Sequence, residues 1–425
     1  MIFILNLISI LIQAQKIAII GCGIGGATLA QLLPSATVYE SYYQCGGRIN
    51  HVLIPGLNAV EFGATFFIKQ NEYVQKQIEK RNLEIYKRDL GKLAVIKNKQ
   101  IVLQKTDLDV INIVKMVYKY GLSPKRMKDI TDEVLINFKS IYTFLESGQY
   151  YHNFNEFLQI IKLNDIKMNF TEFLNENEID QQFQEEFVDA ILLAIYNQKD
   201  VNTIAGLISM VAAFNDAYSI KGGNRQLIDE EKINVIHSKV DIIHRLKNGK
   251  YKIFNDQYDY VVVASLVNLD ISFDNIREMN QFQYVKYQST YVYIVAGKIS
   301  QKYIGVNPED LNTIVILDDG EVTELKQECL KCFSGWNIYK VQGRSELKLD
   351  QIFETHQIIH KKVWDAAYPQ LSQNLLNTEF EYEKNFFYLN SIESLASCME
   401  FMMIQAKNIA NIIKERHNQM IHEDL

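Results

Sequence analysis

Three glycines and one acid define the first chemistry that this sequence offers. Gly21, Gly23 and Gly26 stand in the run Gly21-Cys22-Gly23-Ile24-Gly25-Gly26, and Glu40 follows after one further helix and strand. Each glycine has a physical task in a turn of this spacing. The first makes a tight bend, the second admits a pyrophosphate close to the backbone, and the third lets a helix pack against a strand. The helix that opens there offers unbonded N–H groups to phosphate oxygens. Glu40 is placed to accept hydrogen bonds from ribose hydroxyls. The turn alone is a weak signal, but its surroundings are in order. Lys16–Ile20 is a β-branched run, Ala27–Leu33 reads as a helix ended by Pro34-Ser35, and Ala36–Tyr39 reads as a second strand. Strand, turn, helix, strand and acid make a complete dinucleotide-binding unit.

The segments beyond it narrow the nucleotide. Gln44-Cys45-Gly46-Gly47-Arg48 pairs two conformationally free glycines with a fixed cation. This resembles the second FAD contact of flavoproteins of the glutathione-reductase and amine-oxidase type. Glu61-Phe62-Gly63-Ala64-Thr65 resembles the small-residue segment that passes close to the flavin in such folds. The same resemblance implies that Val240, at the end of a strand Val235–Val240, receives the adenine on its backbone. It also implies that Glu393 meets a ribityl hydroxyl. Gly21, Gly23, Gly25, Gly26, Glu40, Gly46, Gly47, Arg48, Gly63, Ala64, Thr65, Val240 and Glu393 are therefore the candidate FAD-binding residues. No catalytic acid or base stands out, and Tyr196 and Gln198 are only weak candidates for guiding water. His356 and His360 are four apart in an expected helix Lys348–Lys361. No Glu follows His356 and no third ligand is evident, so no metal site is implied.

The elements that must position these groups fall into interleaved stretches. Residues 15–106, 222–279 and 385–425 are expected to build the FAD domain. The hairpin around Asn98 lies within the first stretch. Residues 107–221 turn helical, with Val110, Ile113, Val114 and Val117 and then Val134, Phe138, Ile141 and Phe144 at helical spacing. Asn153 and Asn155 both suit the cap of a helix near Glu156. Residues 280–384 mix strands with the helix just named, and Ala396–Arg416 reads as a long closing helix. The fold class is α/β: a Rossmann-like FAD domain interleaved with an α+β substrate domain.

Composition agrees with a large folded enzyme. The 425 residues are 48% hydrophobic and 22% charged, with a net charge of −7. That apolar share excludes a disordered chain. The acidic balance argues against a nucleic-acid partner, which needs a basic face. Residues 1–14, beginning Met-Ile-Phe-Ile-Leu, read as a secretory signal peptide. No later stretch has the roughly 20 apolar residues of a membrane span. Asn169-Phe170-Thr171 is an N-glycosylation triplet. The chain ends His422-Glu423-Asp424-Leu425, close to an ER-retention signal but with its two acids exchanged. Cys22, Cys45, Cys329, Cys332 and Cys398 form no disulfide framework, and unpaired thiols or one local disulfide are expected.

Four further segments carry a closer resemblance. They are Val114–Met127, Lys221-Gly222-Gly223-Asn224, Ala367-Tyr368-Pro369 and Tyr388–Glu400. With these the chain, from about Lys16 to Ile413, resembles the prenylcysteine oxidase family, also called farnesylcysteine lyase. The resemblance implies a secreted or lysosomal FAD enzyme that cleaves farnesyl- or geranylgeranyl-cysteine. The products would be a prenyl aldehyde, cysteine and hydrogen peroxide, with dioxygen and water consumed. It also implies an apolar tunnel for the prenyl tail and leaves room for a peripheral membrane contact. The sequence departs from the family's pattern at several points. Ile68-Lys69 replace a histidine and proline, Leu193 and Ile195 replace arginine and asparagine, Asn197 replaces a glycine, and Lys221 replaces a glutamate. These segments are expected near the flavin, so the departures bear on substrate and activity more than on FAD binding.

Overall fold

A computed structural model describes residues 15–105, 109–163, 169–266, 271–276, 286–372 and 379–423. The expected signal peptide lies outside them, as do the final two residues of the His-Glu-Asp-Leu end.

The nucleotide-binding core is a six-stranded sheet. Its strands run in the order Val235–His237, Thr37–Glu40, Ile17–Ile20, Tyr260–Val263, Phe386–Tyr388 and Glu381–Glu383. Neighbours from Val235–His237 to Phe386–Tyr388 are parallel, and Glu381–Glu383 closes the edge antiparallel. Ile17–Ile20 and Tyr260–Val263 are buried on both faces, which is why they read as unbroken apolar runs. The helix Ile24–Leu32 packs against the closing helix Met399–Glu423. Three separated stretches of chain thus meet in one sheet.

The second sheet has seven strands: Phe353–Pro369, Tyr287–Ile299, Trp336–Gly343, Val322–Phe333, Thr313–Ile316, Leu93–Lys97 and Gln100–Gln104. Two expectations change here. The hairpin Leu93–Gln104, with Asn98 and Lys99 both at positive φ, joins this sheet by a parallel pairing to Thr313–Ile316. It does not extend the nucleotide sheet. The expected helix Lys348–Lys361 is only the single turn Leu349–Ile352, and from Phe353 the chain runs as a strand to Pro369. Phe353–Pro369 pairs along most of its length with Tyr287–Ile299, absorbing three register shifts. The long antiparallel ladder overrides a local pattern that also fits a helix.

Among the described residues, most of the block from Asp109 to Ala213 is helical, as the periodicity predicts. Asparagines set several of their starts. Asn153, the first of the two candidates, caps Phe154–Ile160 by accepting from Glu156 N at 3.1 Å. Asn169 forms a capping box with Glu172, so the side-chain oxygen of the triplet's asparagine serves a helix end. Asn202 caps Thr203–Ala213, and its amide also donates to Leu371 O and Ser394 O. Glu400, on the closing helix, accepts from Tyr73 N and Val74 N and so holds the start of Glu72–Arg81.

Candidate cofactor site

The glycine turn divides its labour as its spacing predicts. Gly21 lies at φ +106°, and a Cβ there would stand 2.7 Å from Ala264 O. A Cβ on Gly26 would stand 2.0 Å from Gly21 O, so only hydrogen lets the helix approach the turn. A Cβ on Gly25 would meet Leu389 at 2.6 Å. Gly23 differs: nothing lies within 4 Å of its Cβ position. It borders open space at the start of Ile24–Leu32, where no side chain caps the helix. That cradle fits a pyrophosphate. Glu40 is buried and accepts from Cys22 N at 2.7 Å and Tyr42 N at 2.9 Å.

The second glycine turn lies directly against the first. Gly46 N donates to Cys22 O at 2.9 Å, and Gly23 and Gly46 form a parallel bridge. A Cβ on Gly47, at φ +55°, would come within 3.3 Å of Gly23 Cα. A disulfide joins Cys22 to Cys45 across this contact, with Cα atoms 4.9 Å apart. The expectation of unpaired thiols or one local disulfide covers the Cys329–Cys332 pair but not this longer link. Cys329 and Cys332 also pair, and Cys398 is free.

Arg48 connects this turn to the end of the chain. It forms an ion pair with Glu393 and donates to Ala367 O at 2.9 Å. Glu393 is buried, and its Oε2 has no protein partner. An unpartnered carboxylate oxygen beside Arg48 fits a hydroxyl-bearing cofactor arm. The segment Gly63-Ala64-Thr65 packs on Arg48 from another side. Ala64 N donates to Arg48 O at 2.8 Å, and a Cβ on Gly63 would stand 1.9 Å from that oxygen. Val240 lies just past its strand, which is shorter than the expected Val235–Val240. The strand ends at His237, and Val240 is buried three residues later in a cluster with Ile20, Tyr39 and Val263.

Around Thr65 the structure gathers charged groups to which the sequence reading assigns no role. Glu61 accepts from Asn224 N at 2.5 Å, and its Oε2 is buried without a protein partner. Asn224 also donates to Ala64 O and Thr65 O, both at 3.0 Å, so the Gly-Gly-Asn motif holds the segment expected to pass the flavin. Lys340 donates to Thr65 Oγ1 at 3.0 Å. Its cross-strand neighbour Lys326 and Arg88 are also buried. Burial pushes the Glu61 carboxyl up to about 8 and Lys326 down to about 8, and it lowers Lys340 as well. The available signal was Lys340 inside the run Tyr339-Lys340-Val341, a lysine where a central strand wants an apolar residue.

The departures from the family's pattern separate by location. Ile68 is buried in a short strand against Tyr218 and Ala217, whereas Lys69 is exposed with its ammonium over the Tyr218 ring. Leu193 is fully buried beside Val95 and Val315. Asn197 lies at φ +59° and ends the helix Asp189–Tyr196. Asparagine is the residue after glycine that best tolerates that conformation, so this change keeps the turn. Gln198 uses both ends of its amide on backbone, donating to Pro369 O and accepting from Leu371 N. Tyr196 is buried edge-on against Tyr368, and burial lifts its hydroxyl well above the usual range. Lys221 is exposed and pairs with Glu84 on the surface, away from its expected place near the flavin. The two histidines stand on a strand, and His360 lies 4.6 Å from the Phe62 ring centre.

The profile of the prenylcysteine lyase family matches residues 103–424, most of the chain. The chain belongs to this family. It is similar to prenylcysteine oxidase 1 of Homo sapiens, 24% identical over 96% of this chain and 91% of that one. Prenylcysteine oxidase 1-like of Bos taurus is 26% identical over 96% and 92%. Among solved structures, a putrescine oxidase redesigned in cofactor binding superposes with a TM-score of 0.62 at 13% identity, covering 95% of this chain and 99% of the other. A fatty acid isomerase from P. acnes gives 0.63 at 15% identity, covering 95% and 98%. These share the fold. Family and fold together make this chain an FAD-dependent oxidase of the α/β flavoprotein type. Among the described residues, no helix is long and apolar enough to cross a membrane.

Proposed function

We propose that this chain oxidises the thioether of farnesyl- or geranylgeranyl-cysteine. In balance, R–CH2–S–Cys with O2 and H2O becomes R–CHO, cysteine and H2O2. The observation that carries the reading is how the chain uses two of its family-like segments. Gly222-Gly223-Asn224 supports Glu61–Thr65, and Tyr388–Glu400 delivers Glu393 to Arg48. When bound, FAD supplies a hydride acceptor for the carbon between sulfur and alkene, whose developing charge both groups stabilise. The chain's own part is to bind and orient. Gly21, Gly23, Gly25 and Gly26 with Gly46 and Gly47 form the pyrophosphate cradle. Glu40 holds the ribose, and Val240 receives the adenine. Arg48 and Glu393 hold the ribityl arm, and Gly63, Ala64 and Thr65 line the ring. A buried prenyl tail contributes about 0.8 kcal/mol per methylene.

The cellular setting belongs to the same reading. The N-terminal apolar run and two disulfides suit an oxidising compartment. Passage through the secretory pathway to a lysosome or vacuole follows, with retention through the C-terminal His-Glu-Asp-Leu as the alternative. A lipid-derived substrate also suits peripheral contact with a membrane.

The visible spectrum of purified holoprotein tests the activity. Farnesylcysteine should bleach the flavin without air and release peroxide with air. Full flavin occupancy with neither response defeats the thioether reading. Ile68 motivates a second reading, because a buried aliphatic residue stands where the family carries a proton-bearing histidine. A flavin that stays oxidised with every thioether and amine in a panel would favour a non-catalytic FAD- or lipid-binding relative. Bleaching by an amine alone would favour an amine-oxidase-like enzyme.

A further inference from the structure

Among the described side chains of the helix Asp109–Tyr120, one apolar face is covered and a second is not. Met116 packs on the main core, and Tyr120 is buried. The Tyr120 hydroxyl donates to Glu186 Oε2 at 2.7 Å, and its ring meets Phe183 edge-on at 5.4 Å. These contacts fix which way the helix faces. The outward side should then be polar, as it is on most surface helices. Instead Val114, Val117 and Tyr118 are 61%, 47% and 93% exposed. They stand at i, i+3 and i+4 and form one stripe. Leu122, 61% exposed, extends it past the turn at Gly121.

The charge around the stripe selects the occupant. From Val110 to Lys128 the chain carries Lys115, Lys119, Lys125, Arg126 and Lys128 and no acid, although its net charge is −7. Lys119 is held by Val102 O and Glu186, while Lys115 is exposed. Lys125 and Lys128 form exposed pairs with Asp129 and Asp132, which water and salt screen to little net strength. Aliphatic side chains with a tyrosine, bordered by lysines on an otherwise acidic protein, match the interface of an anionic bilayer.

We infer that the face bearing Val114, Val117, Tyr118 and Leu122 docks this enzyme on an anionic lipid surface, inserting those side chains among the headgroups. The inference deepens the peripheral contact proposed above and does not depend on the thioether chemistry. Vesicle binding needs no turnover, so the two can fail separately.

The test is co-sedimentation of the full FAD-loaded chain with vesicles of phosphatidylcholine alone and of phosphatidylcholine with about one third phosphatidylserine. Binding should favour the anionic vesicles by about tenfold or more and weaken as salt rises. The triple variant Val114→Ser, Val117→Ser, Tyr118→Ser should lose that binding while keeping its flavin spectrum and melting temperature, because the replaced side chains are exposed. In a second variant, Tyr118→Trp, the emission should shift to the blue on adding anionic vesicles. Three results would each overturn the inference. They are no binding to either vesicle, undiminished binding by the triple variant, and a dimer in solution that Tyr118→Ser splits.

Discussion

At the scale of single residues, the glycine turn separates folding from binding. Gly23→Ala places a methyl into open space at an extended backbone position, so the fold should survive. That space is the proposed pyrophosphate cradle, so FAD affinity should fall by about 1–3 kcal/mol, the usual cost of overfilling a packed site. Gly26→Ala forces a Cβ to 2.0 Å from Gly21 O and should lower the melting temperature even without FAD. Flavin titration and melting of both apo variants check this, and equal melting losses would refute the division. Glu61 gives a pH signature. Its carboxyl is raised from 4.5 to about 8 by burial, so the folded state holds a proton that the unfolded chain has released. That contribution is complete below about pH 4.5 and is lost as pH rises towards 8. Lys326 acts later, between about 8 and its ordinary 10.5. Glu61→Gln should therefore gain several degrees in melting temperature, relative to the parent, between pH 5 and pH 8. A constant difference across that range would count against a buried neutral carboxyl. Both predictions start from residues visible in the sequence. The burial of Glu61 was not visible, because Asn224, Arg88 and Lys340 come to it from distant strands and turns.

At the scale of elements, local chemistry was legible and long-range pairing was not. The strand Ile17–Ile20, its turn and the helix Ile24–Leu32 follow from short-range spacing, as do the helices after Asp109. The strand Phe353–Pro369 does not, because its partner Tyr287–Ile299 lies some sixty residues earlier and supplies the hydrogen bonds that decide its form. The Cys22–Cys45 link is the same lesson in covalent form. Each cysteine sits in a cofactor turn, and nothing local shows that the turns touch. With a sequence separation of 23, the disulfide contributes about 3 kcal/mol by limiting the unfolded chain. It also keeps Gly23 against Gly46 and Gly47. Cys45→Ser should therefore weaken FAD binding by about tenfold, about 1.4 kcal/mol, and lower the melting temperature. Dithiothreitol should weaken the parent's FAD binding equally and leave the variant unchanged. Flavin fluorescence during titration reads both, and an unaltered affinity in reduced parent would show that the two turns hold together without the bond.

At the scale of the whole molecule, the two sheets are built so that neither is complete alone. The seven-stranded sheet takes its last two strands from residues 93–104, between parts of the nucleotide domain. Arg48 reaches Ala367 O, Trp364 Nε1 donates to Phe62 O at 2.7 Å, and Asn202 ties the helical block to Leu371 and Ser394. Every such bond crosses between stretches that sequence order keeps far apart. Unfolding one sheet removes partners from the other, so the chain should melt in a single transition. The proposed FAD contacts lie on the first sheet and the turns around it, yet through these ties bound FAD should stabilise everything. At a free concentration one hundred times its dissociation constant the gain is about 2.7 kcal/mol. For a chain of this length that corresponds to about 3 °C in melting temperature. Calorimetry of apo and FAD-loaded protein should show one peak that moves as a whole. Two peaks, of which only one responds to FAD, would mean that the sheets unfold independently. The crossing bonds would then hold orientation without coupling stability, and the seven-stranded sheet would stay folded when the cofactor leaves.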